Sequence, residues 1–197
     1  FSPEQYFDKE VISFTEKECF IDAGAYTGDT LASFISAVNN KFNSIYCFEP
    51  FYDNFHKLEL FKQLDLNNDN RIKLYKKGLL DECKTVGFEI EGDVYSAGTV
   101  SESASNLIEV ISLDSLVFNE NHFPTFVKMD IEGSELEALH GARQTIQKYR
   151  PKLAICVYHK KEDMLDIYEY IKGLNLNYKF YLRHHSGDFT ETVLYAV

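Results

Sequence analysis

The chain alternates between short apolar runs and stretches in which apolar residues recur every three or four positions. Residues 19–21 form a run typical of a buried strand, and apolar residues at 31, 34, 35 and 38 then follow helical spacing. Further strands are predicted over 45–49, 72–76, 125–130 and 153–158, and further helices over 51–64, 133–150 and 164–173. Two closing strands, 178–182 and 192–197, are too close in sequence for a helical crossover and should pair antiparallel. This order predicts a doubly wound, mostly parallel α/β sheet with a reversed last strand.

Two segments depart from that alternation. Residues 1–18 carry a capping pattern at Ser2 to Gln5 that predicts a leading helix ending near Phe14. Residues 80–111 predict an inserted hairpin that turns at 91–93, followed by a loop over 96–106 and a short strand over 108–113. At 197 residues and without a linker, the chain is predicted to be a single domain, 1–197.

The first predicted strand ends at Asp22 and passes through Gly24 and Gly28 into a helix. A strand, a glycine turn and a helix N-terminus form the first half of a nucleotide-binding unit. The positions between the glycines hold Ala25, Tyr26 and Thr27. These side chains stand where a dinucleotide-binding loop brings its backbone against a pyrophosphate, and Asp22 would repel that group. A nucleoside with a cationic amino-acid tail, such as S-adenosylmethionine, fits better than NAD.

A second carboxylate, Glu49, ends the next apolar run 27 residues after Asp22. An acidic residue at this place can accept hydrogen bonds from both ribose hydroxyls of a nucleoside. The alternative is that Glu49 caps the following helix, with Pro50 in its first turn. The ribose role is favoured, because the position and spacing of Glu49 agree with those of the first motif.

Composition narrows the class of partner. The formal charge of −11 argues against nucleic acid, because phosphate binding needs clustered Lys and Arg. The four cysteines, at 19, 47, 83 and 156, have no metal-ligand or disulfide spacing. No apolar run approaches 18 residues and no signal peptide is visible, so the expectation is a cytoplasmic protein without a membrane span.

Four blocks of sequence resemble the FkbM-type family of class I S-adenosylmethionine-dependent methyltransferases. They are residues 20–30, 46–50, 127–135 and 181–195, and the block Lys128-x-Asp130-x-Glu132-Gly-x-Glu135 is the most specific. The resemblance implies a seven-stranded Rossmann-like sheet with S-adenosylmethionine as the cofactor. It implies that Asp22, Gly24, Tyr26 and Gly28 surround the methionine end, with Ala25 and Thr27 in the same loop. It also implies that Glu49 and Pro50 flank the ribose, that Gly78 and Leu79 border the adenine, and that Asp130 lies near the methyl group.

Two residues at predicted strand ends, Asp130 and His159, are the candidate catalytic groups. An alcohol is a poor nucleophile, so a general base would accelerate methyl transfer by about 10²–10⁴-fold. A structural role competes for each of them: His159 as a cap or core residue, and Asp130 as a hydrogen-bond partner of the loop at Gly133. Glu132 and Glu135 are expected to stabilise the N-terminus of the following helix, because their negative charges interact favourably with the helix dipole. Asp130, Glu132 and His159 could hold Mg²⁺, but no spacing demands it, and no metal is predicted.

The sequence therefore predicts an enzyme that methylates a hydroxyl of a glycan or small metabolite, the acceptor class resting on family analogy alone. An NAD-dependent oxidoreductase and a non-catalytic nucleotide-binding module are the alternatives. Neither the acceptor nor the oligomeric state follows from the sequence.

Overall fold

The computed structural model describes residues 4–90, 98–100, 106–120 and 123–197. Eleven strands and six helices are described, and they follow one another along the chain. They are β1 (Cys19–Ala23), α1 (Asp29–Ala37), β2 (Ser44–Phe48), α2 (Tyr52–Leu64), β3 (Ile72–Tyr75), β4 (Gly78–Leu79), β5 (Lys84–Ile90), β6 (Gly98–Val100), β7 (Asn106–Ile111), α3 (Leu113–Glu120), β8 (Phe126–Met129), α4 (Glu135–His140), α5 (Arg143–Tyr149), β9 (Lys152–Cys156), α6 (Asp163–Gly173), β10 (Phe180–His184) and β11 (Thr192–Ala196).

The main sheet has seven strands in the order β10-β11-β9-β8-β1-β2-β3. All neighbouring pairs from β9 to β3 are parallel, whereas β11 runs antiparallel to both β9 and β10. The predicted doubly wound sheet with a reversed last strand is confirmed. Chain order reverses between β1 and β8, and such a switch opens a crevice at the carboxyl ends of the strands.

Both faces of this sheet are covered, which explains why its strands read as continuous apolar runs. Every residue of β1 is buried. On one face, the ring of Phe20 stacks on Phe34 of α1 and Phe126 of β8, with centroid separations of 4.3 and 4.9 Å. This packing holds the carboxyl ends of β1 and β8 side by side.

The insertion after β3 forms a second sheet in the order β4-β7-β5-β6. The antiparallel pairing of β5 with β6 and β7 agrees with a hairpin, although the predicted turn at 91–93 lies outside the described residues. The loop predicted over 96–106 is wrong at 98–100, which form β6, and at 106, which begins β7; residues 96–97 and 101–105 lie outside the described residues. The ring of Phe88 meets Phe51 at 4.6 Å and so joins this sheet to the start of α2.

The predicted leading helix is wrong for the described residues 4–18, which form turns and irregular structure. Tyr6, Phe7 and Ile12 are all buried in one apolar cluster. A helix rotates about 100° per residue, so it would spread these three side chains around its circumference. Tertiary packing therefore overrides the local capping pattern.

The helix predicted over 133–150 is divided into α4 and α5, and α3 was not predicted. A side chain at Gly141, between α4 and α5, would place its Cβ only 2.0 Å from the carbonyl oxygen of Leu80. Asp114 of α3 accepts hydrogen bonds from the backbone N–H groups of Gln144 and Thr145 and so caps α5. Among the helices described, none has the length and apolar character that crossing a membrane requires.

Candidate active site

A cavity of about 370 Å³ opens at the carboxyl ends of β1, β2 and β8. That volume is within the range of small-molecule and cofactor sites. The second sheet and the loop after β8 complete the wall. The lining residues are Tyr6, Gly24, Tyr26, Asp29, Thr30, Phe48, Glu49, Pro50, Phe51, Asn54, Gly78, Leu79, Leu80, Phe88, Ile108, Val110, Lys128, Asp130, Ile131, Glu132, Ser134 and Glu191.

The loop after β1 owes its path to Gly24. This residue has φ 78°, and a Cβ there would come within 1.8 Å of the carbonyl oxygen of Asp130. The backbone N–H groups of Gly24 and Ala25 both donate to the carbonyl of Phe48, at 3.0 Å each. The end of β1 is therefore held tightly against the ends of its two neighbouring strands.

Gly28 serves helix packing rather than the cavity. It precedes α1 with φ 102°, and a Cβ there would lie 2.7 Å from the ring of Phe61 in α2. The first two helices can approach each other because this position has no side chain.

The carboxylate of Asp22 is paired with a buried cation inside the protein. Its side chain has no exposed surface, and the ammonium of Lys128 lies 3.1 Å from its Oδ1. Lys128 also donates to the carbonyls of Ala23 and Gly24, at 3.1 and 2.7 Å. Burial raises the pKa of Asp22 to about 6, although Lys128 opposes the shift. Burial alone would lower the pKa of Lys128, but Asp22 and Asp130 outweigh it and keep the ammonium charged.

This pair differs from the expected contact between Asp22 and a cationic ligand. Lys128 lines the cavity whereas Asp22 does not, so Asp22 would act on a ligand through Lys128. The sequence placed an ammonium beside Asp22, and the structure supplies that ammonium from β8.

Glu49 is a buried carboxylate on the cavity wall, with 4% of its surface exposed. Its Oε2 accepts a hydrogen bond from the N–H of Tyr26 at 3.1 Å, and Oε1 accepts one from Phe51 at 3.0 Å. Burial raises the pKa of Glu49 to about 7, against the lowering effect of these bonds. The bond from the N–H of Phe51 fixes the residue that precedes α2, and the remaining lone pairs of Glu49 leave capacity for a ligand.

Asp130 lies at the end of β8 and lines the cavity. Its Oδ2 accepts a hydrogen bond from Tyr6 at 2.8 Å and its Oδ1 accepts one from Tyr158 at 3.1 Å. Burial would raise the pKa of Asp130, but the charges of Lys128 and His159 and the bond from Tyr6 hold it below its usual value. Asp130 is therefore a well-anchored carboxylate and a weak proton acceptor.

His159 follows β9 and is surrounded by carboxylates. Its Nδ1 lies 3.0 Å from Glu135, and its Nε2 lies 3.4 Å from Asp130 and 3.5 Å from Glu132. Burial would lower the pKa of His159, but these carboxylates raise it to about 9. The imidazole is then protonated at neutral pH and has no lone pair for a proton. It also lies outside the cavity lining, so the arrangement does not support the predicted base role.

Seven of the residues predicted to bind cofactor line the cavity, namely Gly24, Tyr26, Glu49, Pro50, Gly78, Leu79 and Asp130. Four do not, namely Asp22, Ala25, Thr27 and Gly28. Sequence reasoning missed Tyr6 and Glu191, which reach the cavity from distant parts of the chain. It also missed Asp29 and Thr30, although both follow Gly28 directly and were within reach of the motif. The apolar wall from Leu80, Phe88, Ile108 and Val110 came from the segment whose structure was hardest to predict.

Comparison with solved structures identifies the class of fold. The chain aligns over 95% of its length with an rRNA methylase from Streptococcus thermophilus, covering 88% of that protein with a TM-score of 0.57 and 15% identity. It aligns over 99% of its length with SMU.1697c from Streptococcus mutans, solved in complex with SAH, covering 95% of that protein with a TM-score of 0.54 and 10% identity. The chain has the Rossmann-like α/β fold of class I methyltransferases.

The family follows from two further matches. The model of the methyltransferase FkbM domain matches residues 22–180. The methyltransferase FkbM from Methylobacillus flagellatus KT is 33% identical over 99% of this chain, with a TM-score of 0.84. The chain belongs to the FkbM methyltransferase family. It spans 47% of the Methylobacillus protein, and a search of curated proteins found no match.

Proposed function

We propose that this protein is an S-adenosylmethionine-dependent methyltransferase that methylates a hydroxyl group on a glycan or small metabolite. The observation that most supports this cofactor is the buried carboxylate of Glu49, which lines the cavity at the end of β2. A ribose diol offers two hydroxyl donors to such an acceptor. Charge-assisted hydrogen bonds of this kind contribute about 1.5–3 kcal/mol each.

The other lining residues fit the rest of the cofactor. Leu79, Leu80 and Val110 form an apolar wall beside Gly78, suited to a flat adenine ring. Asp29 and Asp130 offer negative charges for an ammonium or sulfonium, and the buried ammonium of Lys128, which already bonds Asp22 and the carbonyls of Ala23 and Gly24, adds a positive potential at the cavity wall. A zwitterionic amino-acid tail with an added positive charge matches this donor set, whereas a pyrophosphate would meet several carboxylates.

When bound, S-adenosylmethionine supplies an electrophilic methyl group. The protein's contribution would be to hold the acceptor oxygen in line with that group, which lowers the barrier by up to about 7–11 kcal/mol in well-oriented systems. Tyr6, Asp130 and Glu132 line the part of the cavity formed by the end of β8 and the N-terminal segment. The bonds from Tyr6 and Tyr158 fix the Asp130 carboxylate, so it can orient an acceptor hydroxyl by accepting its hydrogen bond.

The acceptor is inferred from family analogy and from charge. Asp29, Glu49, Asp130, Glu132 and Glu191 line the cavity, against the cationic side chain of Lys128. A polyanionic acceptor such as RNA would be repelled from this opening. A neutral hydroxyl compound would enter without that cost.

Isothermal titration calorimetry with S-adenosylmethionine and NAD tests the cofactor. We expect binding of S-adenosylmethionine and S-adenosylhomocysteine and no heat with NAD. Tight NAD binding without a response to S-adenosylmethionine would establish the oxidoreductase alternative. A labelled-methyl assay over a panel of hydroxylated acceptors then separates the enzyme from a non-catalytic module, because a module would bind cofactor without turnover.

A further inference from the structure

Three carboxylates converge on one imidazole beside the cavity, at the meeting point of β8, α4 and β9. Asp130, Glu135 and His159 each offer a ligand atom, and these atoms all lie within 4.8 Å of one another. Glu132 reaches the same place, with its Oε2 3.5 Å from Nε2 of His159. We name these four residues the Asp130 cluster.

Buried polar atoms in this cluster lack hydrogen-bond partners. Glu135 has no exposed surface; its Oε1 accepts from the N–H of Ile131 at 2.8 Å, but its Oε2 has no partner. The side chain of His159 is 9% exposed, and neither ring nitrogen has hydrogen-bond geometry with the carboxylates beside it. Unpaired buried polar atoms in a native protein require an explanation, such as an ion bound between them.

The charges are also unbalanced. In the part of the chain that the structure describes, Lys128 pairs with Asp22, and Lys160 lies 3.7 Å from Glu137. Lys128 also acts on Asp130, so Asp22 and Asp130 share one ammonium. His159 is the basic side chain in contact with Glu132 and Glu135. Buried carboxylates are stable when they are paired or when they coordinate a metal.

We propose that the Asp130 cluster binds one divalent transition-metal ion, with Asp130, Glu135 and His159 as protein ligands and Glu132 within reach, and that binding releases the imidazole proton to solvent. Carboxylate oxygens suit Mg²⁺ and Mn²⁺, and an imidazole nitrogen shifts the preference toward first-row transition metals. Mn²⁺ satisfies both kinds of ligand. Ligand atoms around an ion with bonds of about 2.1 Å lie about 3–4.2 Å apart, so the cluster needs only a small contraction.

The site has a direct relation to the acceptor. Asp130 and Glu132 line the cavity, so the bound ion would lie at its wall. Positions that protein ligands leave open on such an ion can take a substrate oxygen. This part rests on the proposed function: a hydroxyl acceptor would be oriented by the ion.

Mn²⁺ binding to tag-free, chelator-treated protein tests the site, because electron paramagnetic resonance measures the free ion directly. We expect one Mn²⁺ per chain, and we expect Glu135→Gln and His159→Gln each to weaken binding at least tenfold. Glu169→Gln is the matched control, because Glu169 is an exposed helical carboxylate that lies 3.4 Å from Lys172. It should bind Mn²⁺ as the unchanged protein does.

Thermal unfolding with and without Mn²⁺ provides the second measurement. The ion should raise the melting temperature of the unchanged protein and of Glu169→Gln, and should not raise that of Glu135→Gln. Absence of binding to the folded, unchanged protein would overturn the proposal and leave His159 as the partner of the carboxylates. Equal binding by all variants would place the ion elsewhere and would overturn it too. Both measurements omit cofactor and acceptor, so a failure of the proposed methyl transfer would leave the metal result intact.

Discussion

At the scale of single residues, Glu49 connects the strand edge to both neighbouring loops. Its two oxygens hold the N–H groups of Tyr26 and Phe51, and the same carboxylate faces the cavity. A carboxylate that must remain buried for structural reasons is also a preorganised hydrogen-bond acceptor. With the ribose contact that we propose, the loops would not need to rearrange on binding, which would lower the cost of binding.

Removing this carboxylate should weaken cofactor binding. We expect Glu49→Ala to raise the Kd for S-adenosylmethionine at least tenfold, because charge-assisted bonds to the ribose are lost. Calorimetry of Glu49→Ala beside Glu169→Gln measures the effect. Unchanged affinity in a folded Glu49→Ala variant would remove Glu49 from the cofactor site.

The raised pKa of Glu49 predicts a pH dependence. With a pKa of about 7, the carboxylate is ionised above that pH and becomes protonated below it. The ionised form is the better acceptor for ribose hydroxyls, so affinity should fall by about tenfold between pH 8 and pH 6. Glu49→Gln cannot titrate at this position and should show a smaller change over the same range. The same pH slope in both proteins would assign the titration to another group.

At the scale of elements, the break between α4 and α5 shows how distant segments set helix ends. Gly141 lies against the backbone of Leu80 and Asp81, at the start of the inserted segment. The carbonyl of Gly141 also accepts a hydrogen bond from the N–H of Asp114, at 2.9 Å. The helix is interrupted where two other segments meet it, and Leu80 at this junction lines the cavity.

A methyl group at this junction should destabilise the fold. In Gly141→Ala the Cβ would meet the carbonyl oxygen of Leu80 at 2.0 Å, so backbone must shift. Overpacking of this kind costs about 1–3 kcal/mol of unfolding free energy, measurable by urea denaturation. Gly173→Ala is the control, because nothing lies within 4 Å of its Cβ position. Equal stability of the two variants would contradict the tight contact.

The sequence predicts those elements whose causes are local. The apolar runs of β1, β2, β8 and β9 are buried on both faces, and their pattern alone predicts the central sheet. The end of the helix predicted after Gly133 was not predictable, because its interruption depends on Leu80 and Asp114, about 60 and 30 positions away. The leading segment failed for the same reason: Tyr6 and Phe7 pack into a cluster formed by later elements.

The candidate site divides in the same way. Gly24, Glu49 and Asp130 were predicted because each lies at or shortly after the end of a strand that the pattern predicts. Lys128 belongs to a motif that the sequence shows, but its pairing with Asp22 does not follow from the sequence. The two residues lie on the neighbouring strands β1 and β8, and the register of these strands places them opposite each other. Tyr6 and Glu191 carry no sequence pattern that points to a cavity.

At the scale of the whole molecule, the net charge of −11 is matched by a cavity rich in carboxylates. Low-dielectric walls focus the field of such charges and raise the local concentration of cations over anions. A neutral cavity mouth would make an acceptor's charge irrelevant. An acidic one would make the charge of the proposed acceptor a determinant of specificity.

Acceptor charge should therefore control turnover. The test compares an acceptor that has two hydroxyl groups with its phosphate monoester, in which one hydroxyl stays free for methylation. We expect kcat/KM to be at least tenfold lower for the ester. Salt screens interactions between charges that are farther apart than the Debye length, which is about 10 Å at 0.1 M ionic strength. The difference in kcat/KM between the ester and its parent should therefore become smaller at higher salt. Glu191→Gln, which removes a carboxylate from the lining, should narrow it as well, whereas Glu169→Gln should not. A phosphate ester that reacts as fast as its parent at low salt would show that the carboxylates do not face the acceptor's path.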